Sequence, residues 1–191
     1  ALLHIGHGAA AAFSQGRDQR LDFRGGLLGT FGQRTHLIGD HGKTTALLTG
    51  AGRAFSSGQD LNERVLPSGE VVVPGEGLKK YFNPLILKLR ALPFPVVCAV
   101  NGIAAGAGLN VALACDVVLA AKSATFTQVF AKIGLIPDAG GTWLLPRLVG
   151  QAKARGLALL AEPLTAATWV LTAVSALLMT LPDASVRHPI R

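Results

Sequence analysis

Residues 97–148 read VCAVNGIAAGAGLNVALACDVVLAAKSATFTQVFAKIGLIPDAGGTWLLPRL, and this stretch decides the fold. The apolar, β-branched runs PVVCAV (95–100) and DVVLA (116–120) predict two buried strands. Between them, NGIAAGAG (101–108) predicts a tight turn that opens a helix over LNVALAC (109–115). Strand and helix alternate, which predicts an α/β fold rich in parallel strands.

The same alternation continues on both sides of this stretch. TTALLT (44–49) predicts a further buried strand, and residues 125–133 begin like a strand and continue as short helical pieces. A helix is predicted from Trp143, continued by residues 152–160. Another is predicted over residues 78–92, where Pro84 either kinks the helix or marks its start. Its apolar face is formed by Leu78, Phe82, Leu85, Leu89 and Leu92.

Two segments carry no clear signal for regular structure. Residues 1–43 show no sustained period of either strand or helix, and DFRGGLLGTFG (22–32) is typical of a loop. Residues 62–77 are punctuated by proline and glycine, which is typical of an exposed connection.

Composition narrows the class of protein. With 191 residues, 50% of them hydrophobic, the chain can bury a sizeable core. The net charge is +7, but Lys79 and Lys80 are the only adjacent basic pair, and no ladder of aromatic residues accompanies them. We therefore expect no nucleic-acid binding, whereas an anionic ligand suits the charge.

The cysteines and the apolar segments bear on the cellular location of the protein. Cys98 and Cys115 lie in apolar runs, which predicts two buried thiols, no metal site and a reducing cytoplasm. The N-terminal segment lacks the basic start of a signal peptide. Residues 164–181 are free of charge and are only just long enough for a membrane span, and their threonines lower the hydropathy. We therefore predict that this segment does not span a membrane. A small membrane-associated protein stays open as an alternative.

Three motifs carry the candidate chemistry. In SSGQDL (56–61), Gly58 permits a backbone twist that frees the following N–H group. In NGIAAGAG (101–108), small residues let a ligand approach the start of a helix, where N–H groups favour negative charge. In GLIPDAGGTWLLPRLVG (134–150), Asp138 is the only carboxylate between Asp116 and Glu162. Spacing alone leaves open whether Asp138 transfers protons or organises its own glycine turn.

The three motifs, in this order, closely resemble the crotonase (enoyl-CoA hydratase/isomerase) superfamily. The resemblance implies an α/β fold, the ClpP/crotonase spiral of ββα units, over residues 44–166. It also implies an oxyanion hole made by the backbone N–H groups of Gln59 and Ala107, 48 residues apart, which stabilises a thioester enolate. The residues expected to contact the acyl-CoA substrate are Ser57, Gly58, Asp60, Leu61, Gly106 and Asn110.

Departures from the family pattern indicate the reaction. The two glutamates that activate water in the family's hydratases fall here on Asn110 and Phe130, and neither can act as a general base. Asp138 takes the place of an acidic residue that the family's isomerases use, so the resemblance implies proton transfer by Asp138. Segments such as GAGRAFSSGQDLNER and FAKIGLIPDAGGTWLLPRLVG are most similar to isomerases of phenylacetate degradation, which open an aromatic epoxide CoA ester. No cofactor or metal is expected, because coenzyme A is part of the substrate.

The ends of the chain do not resemble the family. Residues 1–43 form an atypical N-terminal segment, and residues 167–191 stand where the family has its trimerisation helices. We therefore expect a truncated or frame-shifted protein whose fold is incomplete at both ends. The resemblance implies homotrimers or hexamers, but the helices that build this assembly are absent from the pattern of residues 167–191. Alternatives to the isomerase are a family member with another substrate and a non-catalytic remnant that only binds coenzyme A.

Overall fold

The computed structural model describes residues 19–23, 33–40, 43–59, 75, 77–172 and 178–181. The larger sheet has six strands in the order β1-β2-β3-β4-β6-β9. These strands are β1 (Gln19–Phe23), β2 (Gln33–Asp40), β3 (Lys43–Gly50), β4 (Val96–Val100), β6 (Val117–Ala121) and β9 (Leu178–Leu181). The first three strands pair antiparallel and the others pair parallel. The predicted parallel-rich sheet is confirmed from β3 onward.

A second, three-stranded sheet has the order β5-β7-β8. It consists of β5 (Ile103–Ala105), β7 (Thr125–Thr127) and β8 (Leu164–Thr165). β4, β5 and the helix α2 (Ala107–Leu113) form one ββα unit. A second unit comprises β6, β7, a 3₁₀ turn (Val129–Ile133) and α3 (Gly141–Val149). Each unit gives its first strand to the larger sheet and its second strand to the smaller one, as the predicted spiral of ββα units requires.

The remaining helices follow the predicted apolar patterns with altered boundaries. The helix expected over residues 78–92 is a π-helical turn (Leu78–Phe82) followed by α1 (Asn83–Arg90). Pro84 lies in the first turn of α1, where its missing N–H is not needed, so it marks the start of the regular helix. The helix expected over residues 143–160 is two helices, α3 and α4 (Gln151–Leu160), because Gly150 leaves helical geometry at φ 79° and ψ 157°.

The boundaries drawn from the family resemblance do not coincide with structural ones. The β2–β3 hairpin crosses residue 43, and α5 (Ala166–Thr172) crosses residue 166. Trp169 on α5 is buried and stacks on Phe126 of β7, with ring centroids 5.1 Å apart. The chain on both sides of the expected core is therefore joined to it.

The charge-free segment 164–181 forms β8, α5 and β9, apart from residues 173–177, which lie outside the described part. Among the helices that the structure describes, none has the length and hydropathy needed to cross a membrane. The exposed connection predicted over residues 62–77 also falls mostly outside the described residues.

Candidate active site

Two glycine-rich turns meet at the centre of the molecule. The backbone nitrogens of Phe55 and Ser56 donate to the carbonyl of Ile103 over 2.9 and 3.0 Å. In return, the nitrogen of Ala105 donates to the carbonyl of Ser56 over 2.8 Å. The side chain of Asn101 joins the turns again, since it accepts from the nitrogen of Gly50 at 3.0 Å. These bonds hold the segment after β3 against β5 and the residues just before it.

Gly58 brings the first turn into contact with the N-terminus of α2. Its φ of +94° is in the left-handed region that favours glycine. A β-carbon built on Gly58 would lie 3.3 Å from the backbone nitrogen of Ala107. Gln59, half-buried, follows directly, and its side-chain amide lies against Gly77. The two residues predicted to form the oxyanion hole are therefore brought together by this turn.

Ala107 is the first residue of α2, so its N–H has no acceptor within the helix. The preceding residue, Gly106, has φ 53° and ψ −129° and donates its own N–H to the carbonyl of Thr127 over 2.9 Å. The chain therefore enters α2 at a fixed angle. The Ala107 side chain is buried, and alanine in place of glycine leaves the backbone donor intact.

An apolar wall lies beside the start of α2. A β-carbon built on Gly106 would lie 3.2 Å from Val129 and 3.7 Å from the ring of Phe130. Phe130 is buried, and it is one of the two positions where the family's hydratases carry a glutamate. This wall offers no group that could activate water.

Asp138 lies on a turn that two hydrogen bonds fix through its carbonyl oxygen. The nitrogen of Gly141 donates to this oxygen over 2.7 Å, and Nδ2 of Asn110 donates to it over 2.8 Å. The next residue, Ala139, has a φ of +45°, which is unusual for a residue with a side chain. The Asp138 residue is half-buried, and its Oδ1 atom is shielded from solvent.

Asn110 connects Asp138 to the helix that begins with Ala107. Its side chain is completely buried, and Oδ1 accepts a hydrogen bond from Nε2 of Gln128 at 2.7 Å. These contacts favour a positioning role for Asn110 over the substrate contact predicted from the sequence. Gln128 was missed by sequence reasoning. The only signal is a lone amide in an apolar segment, which does not reveal its partner.

The other predicted site residues fall at different places. Ser57 is exposed on the rim of the first turn, whereas Gly58 and Gly106 are buried where the two turns meet. Asp60 and Leu61 lie outside the described residues. Within the described part of the chain, no three His, Cys, Asp or Glu side chains come together in a way that could hold a metal ion.

Cys98 and Cys115 are free and buried, as predicted. Burial raises the pKa of the Cys98 thiol well above its usual range, and the neighbouring Cys115 adds to this through a hydrogen bond and its charge. Because a nucleophilic cysteine needs the thiolate form, Cys98 is a packing residue rather than a nucleophile.

Comparison with known proteins shows the family of this chain. The profile of the enoyl-CoA hydratase/isomerase family matches residues 36–170. The chain is 58% identical over 121 residues to 1,2-epoxyphenylacetyl-CoA isomerase of Escherichia coli K12, covering 63% of this chain and 46% of that protein. It is 54% identical over 120 residues to a protein of Rhodobacter capsulatus named as a probable enoyl-CoA hydratase, with the same coverage. The chain thus spans slightly less than half of these relatives.

Solved structures show the same fold. An enoyl-CoA hydratase from Bacillus anthracis superimposes with a TM-score of 0.66 at 32% identity, covering 74% of this chain and 54% of that one. An enoyl-CoA hydratase from Mycobacterium avium subsp. paratuberculosis superimposes with a TM-score of 0.64 at 30% identity, covering 80% and 72%. The ββα units are therefore those of the crotonase fold.

Proposed function

Because the chain belongs to the enoyl-CoA hydratase/isomerase family, we propose that it carries the enolate-forming site of an acyl-CoA isomerase. The contact between the Gly58 turn and the backbone nitrogen of Ala107 is the observation that carries the proposal. The name of the Escherichia coli relative supports 1,2-epoxyphenylacetyl-CoA as the substrate. Coenzyme A enters as part of the substrate, and the reaction needs no separate cofactor.

In this proposal the thioester oxygen accepts hydrogen bonds from the backbone N–H groups of Gln59 and Ala107. Both donors belong to backbone held by the hydrogen bonds between the two turns, so they need little reorganisation as charge develops on the oxygen. Each such donor contributes about 10²–10³ in rate in comparable sites. Ser57 and Gly106 flank the bound thioester, and Asp60 and Leu61 are proposed to contact the coenzyme A part.

Asp138 is proposed to move the proton. Its carboxylate removes a proton from the carbon next to the thioester, and the enolate takes this proton back at another carbon of the acyl group as the double bonds shift. The carbon–carbon bond of the epoxide ring breaks in the same isomerisation, so that the product has the atoms of the substrate. General acid–base catalysis of this kind contributes about 10²–10⁴ in rate. Asp138 is half-buried, and its Oδ1 atom is shielded from solvent.

The alternative is hydration, which the names of several relatives suggest. Hydration requires groups that activate and protonate water. Of the three carboxylates whose side chains the structure describes, Asp116 and Glu162 are exposed, and only Asp138 belongs to the candidate site. The buried ring of Phe130 and the engaged amide of Asn110 favour isomerisation over hydration.

The test is deuterium incorporation into phenylacetyl-CoA incubated with the protein in D₂O, followed by mass spectrometry. Exchange at the carbon next to the thioester reports enolate formation without requiring the full reaction. We expect exchange with the wild-type chain and with the control Glu162→Gln, whose carboxylate is exposed, and none with Asp138→Asn. Binding without exchange would instead indicate a module that only binds coenzyme A.

A parallel incubation with crotonyl-CoA distinguishes the hydratase. Addition of water to crotonyl-CoA at a rate above that of proton exchange would overturn the isomerase proposal. The absence of the family's assembly helices and a cytoplasmic location stay predictions, and size-exclusion chromatography with light scattering tests whether the chain forms the homotrimers or hexamers of the family.

A further inference from the structure

One backbone carbonyl fixes the direction of two buried side-chain amides. The carbonyl of Asp138 can only accept hydrogen bonds, so Asn110 must present its Nδ2 group to it, at 2.8 Å. The Oδ1 atom of Asn110 therefore faces Gln128. Because Oδ1 can only accept, Gln128 must present Nε2, which donates to it over 2.7 Å. The relay Gln128–Asn110–Asp138 thus has one possible polarity.

The relay leaves one acceptor of Gln128 facing the protein interior. Its Oε1 atom is buried, and within the described part of the chain no donor bonds to it. An acceptor buried in this way lowers stability and offsets the gain from the hydrogen bond between Nε2 and Asn110. Gln128 is therefore poorly explained by stability alone. Residues that break such a local rule are expected at functional sites.

The relay joins three elements around the candidate site. Gln128 follows β7 directly, Asn110 is on α2 one turn after Ala107, and Asp138 precedes α3. Asn110 also packs closely against the start of α3, because a β-carbon built on Gly141 would lie 2.8 Å from Cγ of Asn110. Small movements of the Asn110 amide are therefore passed on to the Asp138 turn.

We propose that Gln128 is a positioning residue, which fixes the Asp138 carbonyl through Asn110 and so holds the carboxylate at a set place relative to the N-terminus of α2. This inference rests on the proposed function. In this proposal, Gln128 does not contact the substrate. Its effect is on the placement of the proton-transferring group.

The test compares Gln128→Met, which keeps the length and removes the hydrogen bond to Asn110, with Gln151→Met, an exposed control at the start of α4. For Gln128→Met we expect an unfolding midpoint close to that of the wild type, because the loss of the unpaired Oε1 of Gln128 offsets the loss of the donor to Oδ1 of Asn110. We expect its saturating rate of deuterium exchange into phenylacetyl-CoA to fall at least tenfold at an unchanged half-saturating concentration. Gln151→Met should change neither quantity. A Gln128→Met protein that exchanges at the wild-type rate overturns the proposal, as does one that loses rate only in proportion to lost stability.

A second measurement separates this inference from the proposed function. The N–H of Gly141 donates to the Asp138 carbonyl over 2.7 Å, so its exchange with solvent, followed by NMR, reports the turn without any substrate. We expect faster exchange at Gly141 in Gln128→Met, and unchanged exchange at Val100 of β4. If the wild type forms no enolate but Gly141 responds, the isomerase proposal fails and the relay stands. If Gly141 does not respond, the relay is overturned whatever the activity.

Discussion

Gly58 lies so close to Ala107 that a β-carbon built on it would be 3.3 Å from the Ala107 backbone nitrogen and 3.3 Å from the carbonyl oxygen of Ala105. The two residues are far apart in the sequence and belong to two different turns. Hydrogen bonds between Ser56 and the β5 strand bring them together. The nitrogen at the start of α2 is thereby placed beside the backbone twist at Gly58, as the proposed oxyanion hole requires.

Replacing Gly58 with alanine should therefore remove activity more than stability. The methyl group would occupy space beside the Ala107 nitrogen, and the φ of +94° would become strained by about 1–3 kcal/mol. We expect the deuterium-exchange rate with phenylacetyl-CoA to fall by about 10²–10³, the loss typical of one missing oxyanion donor. Gly52→Ala is the control, since a β-carbon there meets no atom within 4 Å. Full activity of Gly58→Ala would show that the oxyanion does not bind at this turn.

The strands that the sequence predicts are those with apolar residues that are buried in the fold. β3, β4 and β6 are predicted because their apolar, β-branched runs are covered by helices. β5 lies within the predicted turn NGIAAGAG and is not predicted as a strand, because three residues between glycines are too few to show the alternation of a strand. β1 and β2 are not predicted, since backbone pairing of β1 with β2 and of β2 with β3 supplies their hydrogen bonds and leaves little mark on composition.

The candidate site divides in the same way. Gly58, Gly106 and Asp138 are visible in the sequence because turns and isolated carboxylates have local signatures. The Asn110–Gln128 bond is tertiary, joining α2 to the end of β7, and no spacing rule connects those positions. Family resemblance marks Asn110 as a departure from the hydratases, but only the structure shows that its amide is committed to the Asp138 turn.

Gly141 should tolerate no side chain. A β-carbon built there would collide with Nδ2 of Asn110 and lie 2.8 Å from its Cγ. We expect Gly141→Ala to lower the free energy of unfolding by about 1–3 kcal/mol, the usual effect of overpacking, and to displace the Asp138 turn. The measurement is guanidinium unfolding followed by fluorescence. The control, Gly156→Ala in α4, meets no atom within 4 Å and should stabilise the protein by about 0.4–1 kcal/mol. Equal effects of the two substitutions would contradict this packing.

Cys98 should make stability fall at alkaline pH. Burial raises the pKa of its thiol in the folded protein above the unfolded value of about 8.5. The stabilisation is complete below the unfolded pKa and is lost as pH rises toward and through the folded one. We expect the free energy of unfolding, measured under reducing conditions, to fall with pH above ~8.5 more steeply in the wild type than in Cys98→Ala. Parallel curves for the two proteins would show that the thiol ionises equally well in the folded state.

Trp169 tests whether α5 belongs to the folded core. Its ring is buried and stacks on Phe126 at an interplanar angle of 26°, and the nitrogen of Ala166 donates to the carbonyl of Ala124 over 3.0 Å. Removing such a buried ring costs about 3–5 kcal/mol, so Trp169→Ala should greatly lower the unfolding midpoint in guanidinium. Trp143→Ala is the matched control. Trp143 is 51% exposed and mainly contacts Arg147, 4.0 Å from its ring, an interaction worth about 0.5–1 kcal/mol. If both variants unfold at the same midpoint, α5 contributes no more to the core than a surface residue does.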